Sequence, residues 1–171
     1  MNQTTEFLII GGGIAAASTA YWLSRNAQVL LLEQESQPGY HSTGRSAALF
    51  MESYGTPQVR ALTMASRAFL QAPPVDFSDH PLLTPRGAMM VAEHGQDEML
   101  SAHWDVLRQV TQNGRLLNTQ EACEYVPVLR SEKILGGIYE PDASDMDVHS
   151  IHQGYLRGAK KNGAQLICDA Q

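Results

Sequence analysis

Three consecutive glycines near the N-terminus, Gly11, Gly12 and Gly13, have the residue type and spacing most suggestive of chemistry. Gly11, Gly13 and Ala16 fit the pattern G-x-G-x-x-A, in which Ala16 is the small residue at the third position. Gly11 permits a tight turn, and Gly13 leaves no side chain between the backbone and a bound pyrophosphate. The spacing therefore predicts a loop that binds the phosphates of an adenine dinucleotide.

The flanking elements must position these glycines. The apolar run Phe7–Ile10 predicts a strand buried on both faces of a parallel sheet. Apolar and small residues then predict a helix over 14–25, capped by Asn26, whose N-terminal amides would hold the diphosphate. A second apolar run, Val29–Leu32, predicts the neighbouring buried strand.

Glu33 stands at the carboxyl end of this second strand, about twenty residues past the glycines, where an acid accepts hydrogen bonds from ribose hydroxyls. An acid there disfavours a 2′-phosphate, so FAD or NAD is expected rather than NADP. The alternative is a glycine-rich turn in another kind of α/β protein. Strand, glycines, helix, strand and acid all agree in register, and this agreement favours the dinucleotide site.

A polar, turn-rich loop over 34–44 follows, and it continues towards Ala47. Because it comes directly after a strand of a parallel sheet, it lies at the carboxyl edge where α/β proteins bind ligands. Hydroxyl and guanidinium groups in this loop can contact phosphate oxygens. The residues concerned are Ser42, Thr43, Ser46 and Arg45. The loop could also cap a helix that begins at Ala47, and capping is compatible with ligand contact.

The pattern of residue types in the rest of the chain changes near His80. Helices are predicted over 57–69, 97–110 and 148–161, with a short helix from Thr119. Strands at 82–84 and 88–91 are predicted to pair as an antiparallel hairpin that starts a second, inserted domain. Further strands are predicted at 136–140 and 165–168. Asp145 and Asp147 are interpreted as helix caps, and His94 and His103 as surface residues.

Composition indicates a globular protein, with 171 residues of which 43% are hydrophobic and 18% charged. A net charge of −6 provides no electrostatic footprint for nucleic acid. Cys123 and Cys168 lack metal-site spacing, suit a reducing compartment and are interpreted as small buried hydrophobes. The first residues carry no positive charge and no apolar run reaches a membrane-spanning length, so we expect a cytoplasmic protein without a transmembrane segment.

Several separate segments resemble the FAD-dependent D-amino-acid oxidase superfamily, which also contains glycine and sarcosine oxidases. They are residues 10–18 (IGGGIAAAS), Glu33 and residues 38–47 (PGYHSTGRSA). Within the superfamily, the loop at 41–47, residues 54–62 (YGTPQVRAL) and residues 152–158 (HQGYLRG) are similar to bacterial FAD-dependent D-amino-acid dehydrogenases of the D-arginine dehydrogenase type. The similarity extends from about Phe7 to the last residue.

The resemblance implies a Rossmann-type α/β FAD-binding domain with the start of an inserted α+β substrate domain. The expected division is 1–79 for the FAD-binding part, 80–140 for the start of the substrate domain and 141–171 for the return to the FAD-binding domain. The residues implied to contact the FAD pyrophosphate are Gly11, Gly13, Ile14 and Ala15. Glu33 would hold the adenosine ribose, and Gln34 is also expected to contact the cofactor. The residues expected to line the pyrophosphate and the flavin edge are Ser42, Thr43, Arg45, Ser46 and Ala47.

The chemistry implied is oxidation of a Cα–NH₂ centre to an imino acid by hydride transfer to flavin N5, with later hydrolysis to the 2-oxo acid. Tyr54 would face this small-molecule amine substrate. Arginine-handling members carry a histidine where Leu49 stands and a glutamate where Ala88 stands. Without that acid a buried guanidinium has no partner, so we predict a small or apolar amine over D-arginine. The electron acceptor stays open.

Members of this family are considerably longer, and their remaining half supplies a second flavin contact and an arginine for the substrate carboxylate. We therefore expect the 171-residue chain to be a truncated fragment, inactive by itself, that binds flavin weakly or not at all. One alternative is an NAD-dependent dehydrogenase, which shares the first 33 residues but does not explain the loop at 42–46. The other is a non-catalytic nucleotide-binding or partner-binding module, which fits if 171 residues is the natural length.

Overall fold

The computed structural model describes residues 4–170. In chain order its elements are β1 (Phe7–Ile10), α1 (Ile14–Leu23), β2 (Val29–Leu32), β3 (Leu49–Phe50), α2 (Pro57–Gln71), β4 (Leu83–Pro85), β5 (Ala88–Glu93), α3 (Asp97–Val110), β6 (Arg115–Asn118), α4 (Thr119–Tyr125), β7 (Ile134–Glu140), β8 (Ser144–Met146), α5 (Val148–Lys161) and β9 (Gln165–Ile167). Among these described residues, no helix is both long enough and apolar enough to cross a membrane.

The chain divides into two compact units. Unit 1 contains the residues up to Ala48, the segment Phe69–Leu82 and the residues from Asp147 onward. Unit 2 contains Leu49–Ala68 and Leu83–Met146. Each unit has its own strands, so each is described separately.

Unit 1 is built on a parallel sheet in the order β1-β2-β9. Phe7 pairs with Val29 and Ile10 with Leu32, which confirms the predicted parallel strands around the glycines. The prediction that β1 is buried on both faces is wrong, because Ile10 is 75% exposed and Leu8 is also exposed. Within the described residues β1 is an edge strand that pairs only with β2, so its apolar side chains are not enclosed.

Helix α1 packs against α5 through small residues. Ala17 and Ala20 are fully buried, and a Cβ added to Gly154 or Gly158 of α5 would collide with an aromatic ring. The predicted end of α1 is corrected by two residues, since Ser24 is the C-cap and donates its N–H to the Ala20 carbonyl at 2.9 Å. Two small-residue faces therefore bring α5 close to the helix that follows the glycines.

Unit 2 contains two antiparallel three-stranded sheets, β3-β8-β4 and β5-β7-β6. The predicted hairpin over 82–91 does not form, because β4 pairs with β8 whereas β5 pairs with β7. The connecting turn explains the difference: the N–H groups of Arg86 and Gly87 donate to the Ala143 carbonyl at 3.1 and 2.9 Å, and Gly87 has a φ of +79°. The chain thus turns from one sheet into the other.

The helix predictions at 57–69, 97–110 and 148–161 are confirmed by α2, α3 and α5. Asp147 is the N-cap of α5, as predicted, and accepts the Ser150 N–H at 2.8 Å. The cap interpretation of Asp145 is wrong, because Asp145 lies in β8 and forms an ion pair with Arg86 at 3.0 Å. Sheet pairing with β4 brings these two side chains together, and no local pattern could show that.

Candidate dinucleotide-binding site

The glycine turn has the conformation that its composition predicts. Gly11 adopts a φ of +97°, a region that favours glycine, and its N–H donates to the Leu32 carbonyl at 2.7 Å. Gly13 is the N-cap of α1, and a Cβ there would lie 3.3 Å from the Thr43 hydroxyl oxygen. The turn therefore leads from the carboxyl end of β1 into the first turn of α1 with little space for side chains.

The first turn of α1 is partly capped by another segment. The Ile14 N–H donates to Thr43 Oγ1 at 3.0 Å, whereas Gly13 has no side chain to act as a cap. In the described part of the chain, the N–H groups of Gly13 and Ala15 have no hydrogen-bond partner. Unpaired amides at the positive end of a helix dipole are suited to an anion, so this turn fits a pyrophosphate.

Glu33 closes the other side of the turn. Its Oε2 accepts the Gly12 N–H at 2.6 Å, and its Oε1 accepts the Glu35 N–H at 3.0 Å. The pKa of Glu33 is lowered, first by the hydrogen bond from the Glu35 backbone and then by the one from Gly12, although burial opposes them. The carboxylate is therefore ionised near neutral pH, with lone pairs left at the end of β2 for further donors such as ribose hydroxyls.

His152 of α5 is a site residue that the sequence reasoning missed. Its imidazole is 3% exposed, and Nε2 lies 2.7 Å from the Gly12 carbonyl oxygen. Gly39 packs over the ring, since a Cβ there would lie 2.9 Å from Cε1. The available signal was a histidine next to Ile151 on the buried face of an amphipathic helix, a position that usually holds an apolar residue.

The loop that follows β2 is built of bends and turns up to residue 45. No helix begins at Ala47, because residues 46–48 have no regular structure and lead directly into β3 at Leu49. Gly44 approaches Gly39 closely, and its N–H donates to the Gly39 carbonyl at 2.8 Å. The Arg45 guanidinium lies 5.3 Å from the centre of the Tyr40 ring. This contact anchors the arginine to its own loop.

The structure brings together five of the predicted cofactor residues and leaves others apart. Those in mutual contact or adjacent in the glycine turn are Gly11, Gly13, Ile14, Glu33 and Thr43. Ala15 follows directly in α1. Exposed residues of the adjoining loop are Gln34, Ser42, Arg45, Ser46 and Ala47. Their contacts with a cofactor stay predictions.

Tyr54 belongs to unit 2, where it lines a cavity of about 410 Å³. The ring is 68% exposed, and the cavity wall is mainly apolar. Prominent wall residues are Met90, Met99, Leu100, Val106 and Ile138. Arg60 and His103 add polar groups to the same cavity.

The interpretation of His103 as a surface residue is corrected by this cavity. The side chain is half-buried, and burial is the main cause that lowers the pKa of His103, with the Arg60 charge acting in the same direction and Glu140 opposing both. His94 is exposed, as predicted. His103 is therefore a neutral imidazole at neutral pH in the wall of an apolar cavity.

A buried carboxylate holds the segment that carries Tyr54. Glu140, at the end of β7, is 2% exposed; its Oε1 accepts the Glu52 N–H at 3.0 Å, and its Oε2 accepts the Ser53 hydroxyl. Arg67 donates to Glu52 at 2.8 Å. These bonds tie the residues immediately before Tyr54 to the central strand of a sheet.

A parallel strand–glycine turn–helix–strand unit with an acid at the end of the second strand defines a dinucleotide-binding α/β protein. Residues 6–171 match the family model described as FAD dependent oxidoreductase. The chain therefore belongs to this family of FAD-dependent oxidoreductases. The predicted fold class and the predicted FAD cofactor are confirmed at the family level, whereas the narrower D-arginine dehydrogenase type is not.

The similarity to known proteins extends over almost the whole chain. The chain is 28% identical over 180 residues to L-2-hydroxyglutarate dehydrogenase of Escherichia coli (strain K12), over 97% of this chain and 40% of that protein. Glycine oxidase from Geobacillus kaustophilus superposes with a TM-score of 0.79 at 20% identity, over 96% of this chain and 46% of the oxidase. L-proline dehydrogenase from P. horikoshii also has a TM-score of 0.79, at 18% identity, over 99% of this chain and 45% of that chain. The chain thus spans less than half the length of these proteins, and the two structures show the shared fold.

Proposed function

We propose that the protein carrying this chain is an FAD-dependent oxidoreductase that acts on the CH–NH₂ group of a D-amino acid or a related amine. The observation that carries the cofactor half of the proposal is that the amides of Gly13 and Ala15, at the start of α1 beside the Glu33 carboxylate, have no hydrogen-bond partner among residues 4–170. FAD, when bound, would supply the acceptor for the hydride of the substrate Cα–H. The chain's own residues would bind the cofactor and the substrate and orient them.

Two groups of residues are assigned to the cofactor. The amides of Gly13 and Ala15 and the dipole of α1 would hold the pyrophosphate, and Glu33 would accept the ribose hydroxyls. Gly11 and Ile14 shape this turn. The flanking loop would complete the cradle through Gln34, Ser42, Thr43, Arg45, Ser46 and Ala47. Thr43 has the strongest support in this loop, because its hydroxyl already contacts the first turn of α1.

We assign the start of the substrate domain to unit 2. Its cavity of about 410 Å³ is mainly apolar and carries Tyr54, which supports a small or apolar substrate. Leu49 and Ala88 add no acid that could pair with a guanidinium. We therefore propose a substrate other than D-arginine, even though several segments resemble the D-arginine dehydrogenase type.

A second candidate is oxidation of the CH–OH group of a 2-hydroxy acid. The observation that favours it is the 28% identity to a protein named L-2-hydroxyglutarate dehydrogenase. The same cofactor arrangement serves both reactions, because each removes a hydride from a carbon that bears a heteroatom. Substrate chemistry alone separates the two candidates.

The decisive experiment is anaerobic reduction of the flavin in the protein at its natural length. Glycine, apolar D-amino acids, D-arginine and L-2-hydroxyglutarate would be compared by bleaching of the visible flavin band. We expect an apolar or small amine to bleach the flavin fastest. Preference for D-arginine would contradict the substrate proposal, preference for L-2-hydroxyglutarate would establish the second candidate, and a protein without flavin would contradict both.

We also propose that the 171-residue chain alone does not turn over substrate, since it spans only 40 to 46% of the relatives described above. The measurement is flavin content and substrate-dependent bleaching of the purified chain. A yellow chain with stoichiometric FAD that bleaches with an amino acid would contradict this. The intact mass of the natural protein would show separately whether more chain is present in it.

A further inference from the structure

The buried imidazole of His152 links α5 to the glycine turn, and neither the motif nor the resemblance gives it a role. Its Nε2 lies 2.7 Å from the Gly12 carbonyl oxygen. A carbonyl only accepts hydrogen bonds, so the proton must lie on Nε2. Nδ1 is then free to accept, and the Gln153 side-chain amide lies 3.4 Å from it. The imidazole thus has a donor towards the turn and an acceptor on its opposite side.

The Gly12 carbonyl shares a peptide group with the Gly13 N–H. A trans peptide is planar, and its C=O and N–H point in opposite directions. When His152 holds the carbonyl towards the buried face of α5, the Gly13 N–H must point away from that face. This N–H has no partner in the described part of the chain and belongs to the turn that fits a pyrophosphate.

The preceding peptide group is held by a different side chain. The Gly12 N–H donates to Glu33 Oε2 at 2.6 Å, so both polar atoms of Gly12 are bonded to side chains from different elements. Gly39 packs directly over the imidazole, where a Cβ would be too close to the ring. One side chain of α5 therefore supports both the glycine turn and the loop that follows β2.

We propose that His152 is a positioning residue of the cofactor site: by holding the Gly12 carbonyl, it directs the Gly13 N–H towards the diphosphate. The role rests on the proposed use of this turn for FAD. His152 itself does not touch the cofactor. The bond it makes orients a peptide group between two glycines, whose backbone has no side chains to restrict its rotation.

The test compares His152→Gln, His152→Asn and His152→Phe in the protein at its natural length, with His149→Gln as the control. Glutamine places an amide donor near the position of Nε2, asparagine is too short to reach it, and phenylalanine keeps the ring volume without the donor. His149 is exposed on the same helix. The readouts are circular dichroism for folding, the amide NMR signal of Gly13, and titration with ADP, which carries the diphosphate without the flavin.

We expect wild type, His149→Gln and His152→Gln to keep the same Gly13 amide signal and to bind ADP within about threefold of one another. His152→Asn and His152→Phe should shift that signal and weaken ADP binding about tenfold, the effect of one lost hydrogen bond. If the His152→Phe variant fails to fold, the comparison of His152→Gln with His152→Asn tests the proposal. Equal ADP affinity and equal Gly13 signals in Gln and Asn variants would overturn the proposal. A wild-type protein of natural length that shows no ADP-induced shift at the glycine turn would instead count against the cofactor site itself.

Discussion

At the residue scale, the site depends on how single polar groups are paired around a turn that has almost no side chains. The N–H and C=O groups of Gly12 are bonded to Glu33 and His152, while the N–H groups of Gly13 and Ala15 have no partner among the residues that the structure describes. A turn built this way is rigid where it meets protein and open where an anion can bind. Glu33 fixes the turn through its hydrogen bond to Gly12, and its remaining lone pairs fit the ribose contact proposed above.

The first prediction concerns Glu33→Gln. The folded-state pKa of Glu33 is lowered by its backbone hydrogen bonds, so the ionised carboxylate contributes stability above its ordinary pKa and loses it as the pH falls through the folded value. We expect the variant to lose about 1 kcal/mol of unfolding free energy at about pH 7, with the difference from wild type shrinking as the pH falls below the ordinary pKa of a glutamate and through the lower folded-state pKa. Urea denaturation at several pH values measures this.

The matched control is Glu132→Gln, which neutralises an exposed acid. It should leave the unfolding free energy within about 0.5 kcal/mol of wild type at each pH. A loss for Glu33→Gln that is the same at neutral and acid pH would show that the hydrogen-bonded charge is not its cause.

At the element scale, short segments are held by side chains from distant strands and helices. The Thr43 hydroxyl, from the loop after β2, takes the N–H at the start of α1. In unit 2, Glu140 at the end of β7 takes the Glu52 N–H and the Ser53 hydroxyl. Segments without regular structure can thereby present a residue such as Tyr54 in a defined place.

The second prediction concerns this buried carboxylate. Glu140→Ala would leave the Glu52 N–H and the Ser53 hydroxyl without an acceptor in a buried position, so we expect a loss of about 2 to 3 kcal/mol of unfolding free energy. Glu140→Gln keeps one acceptor oxygen and should lose less. Urea denaturation, together with limited proteolysis next to Tyr54, measures both effects.

Glu93→Gln serves as the control, since Glu93 is an exposed carboxylate in strand β5 of the same unit. It should change neither stability nor the cleavage rate. If Glu140→Ala were as stable and as resistant to cleavage as the control, Glu140 would not be what holds the segment.

At the scale of the whole molecule, the free energy of unfolding is expected to depend on pH because of His103, which lies far in sequence from the glycine turn. His103 is half-buried, and its folded-state pKa is lowered, chiefly by burial. The unfolded chain therefore binds a proton at His103 at a higher pH than the folded chain does. The folded state therefore loses stability relative to the unfolded state as the pH falls.

The third prediction follows from this difference. The unfolding free energy of the whole chain should fall as the pH is lowered from about 7 to about 5, where an unfolded histidine takes up its proton. His103→Leu removes the group and should flatten the slope in this range, while His94→Gln, which replaces an exposed histidine, should leave it unchanged. Urea denaturation across the range measures the slope, and an unaltered slope in His103→Leu would contradict the assignment.

The sequence by itself determined the features that depend on neighbouring residues. The tight turn at Gly11, the parallel strands on either side and the helices α2, α3 and α5 all follow from local spacing and residue type. Such patterns can be recognised because the apolar residues of a helix recur within one or two turns, and those of a short strand form a continuous run. The family likewise followed from contiguous segments, and the match over 6–171 confirms it.

Only the tertiary structure decided which distant segments meet. It placed β1 at a sheet edge, separated β4 from β5 and paired Asp145 with Arg86 instead of a helix end. It also brought His152 to the glycine turn. The physical reason is that strand order and the partner of a buried polar group depend on long-range packing, in which residues more than a hundred positions apart satisfy each other's hydrogen bonds.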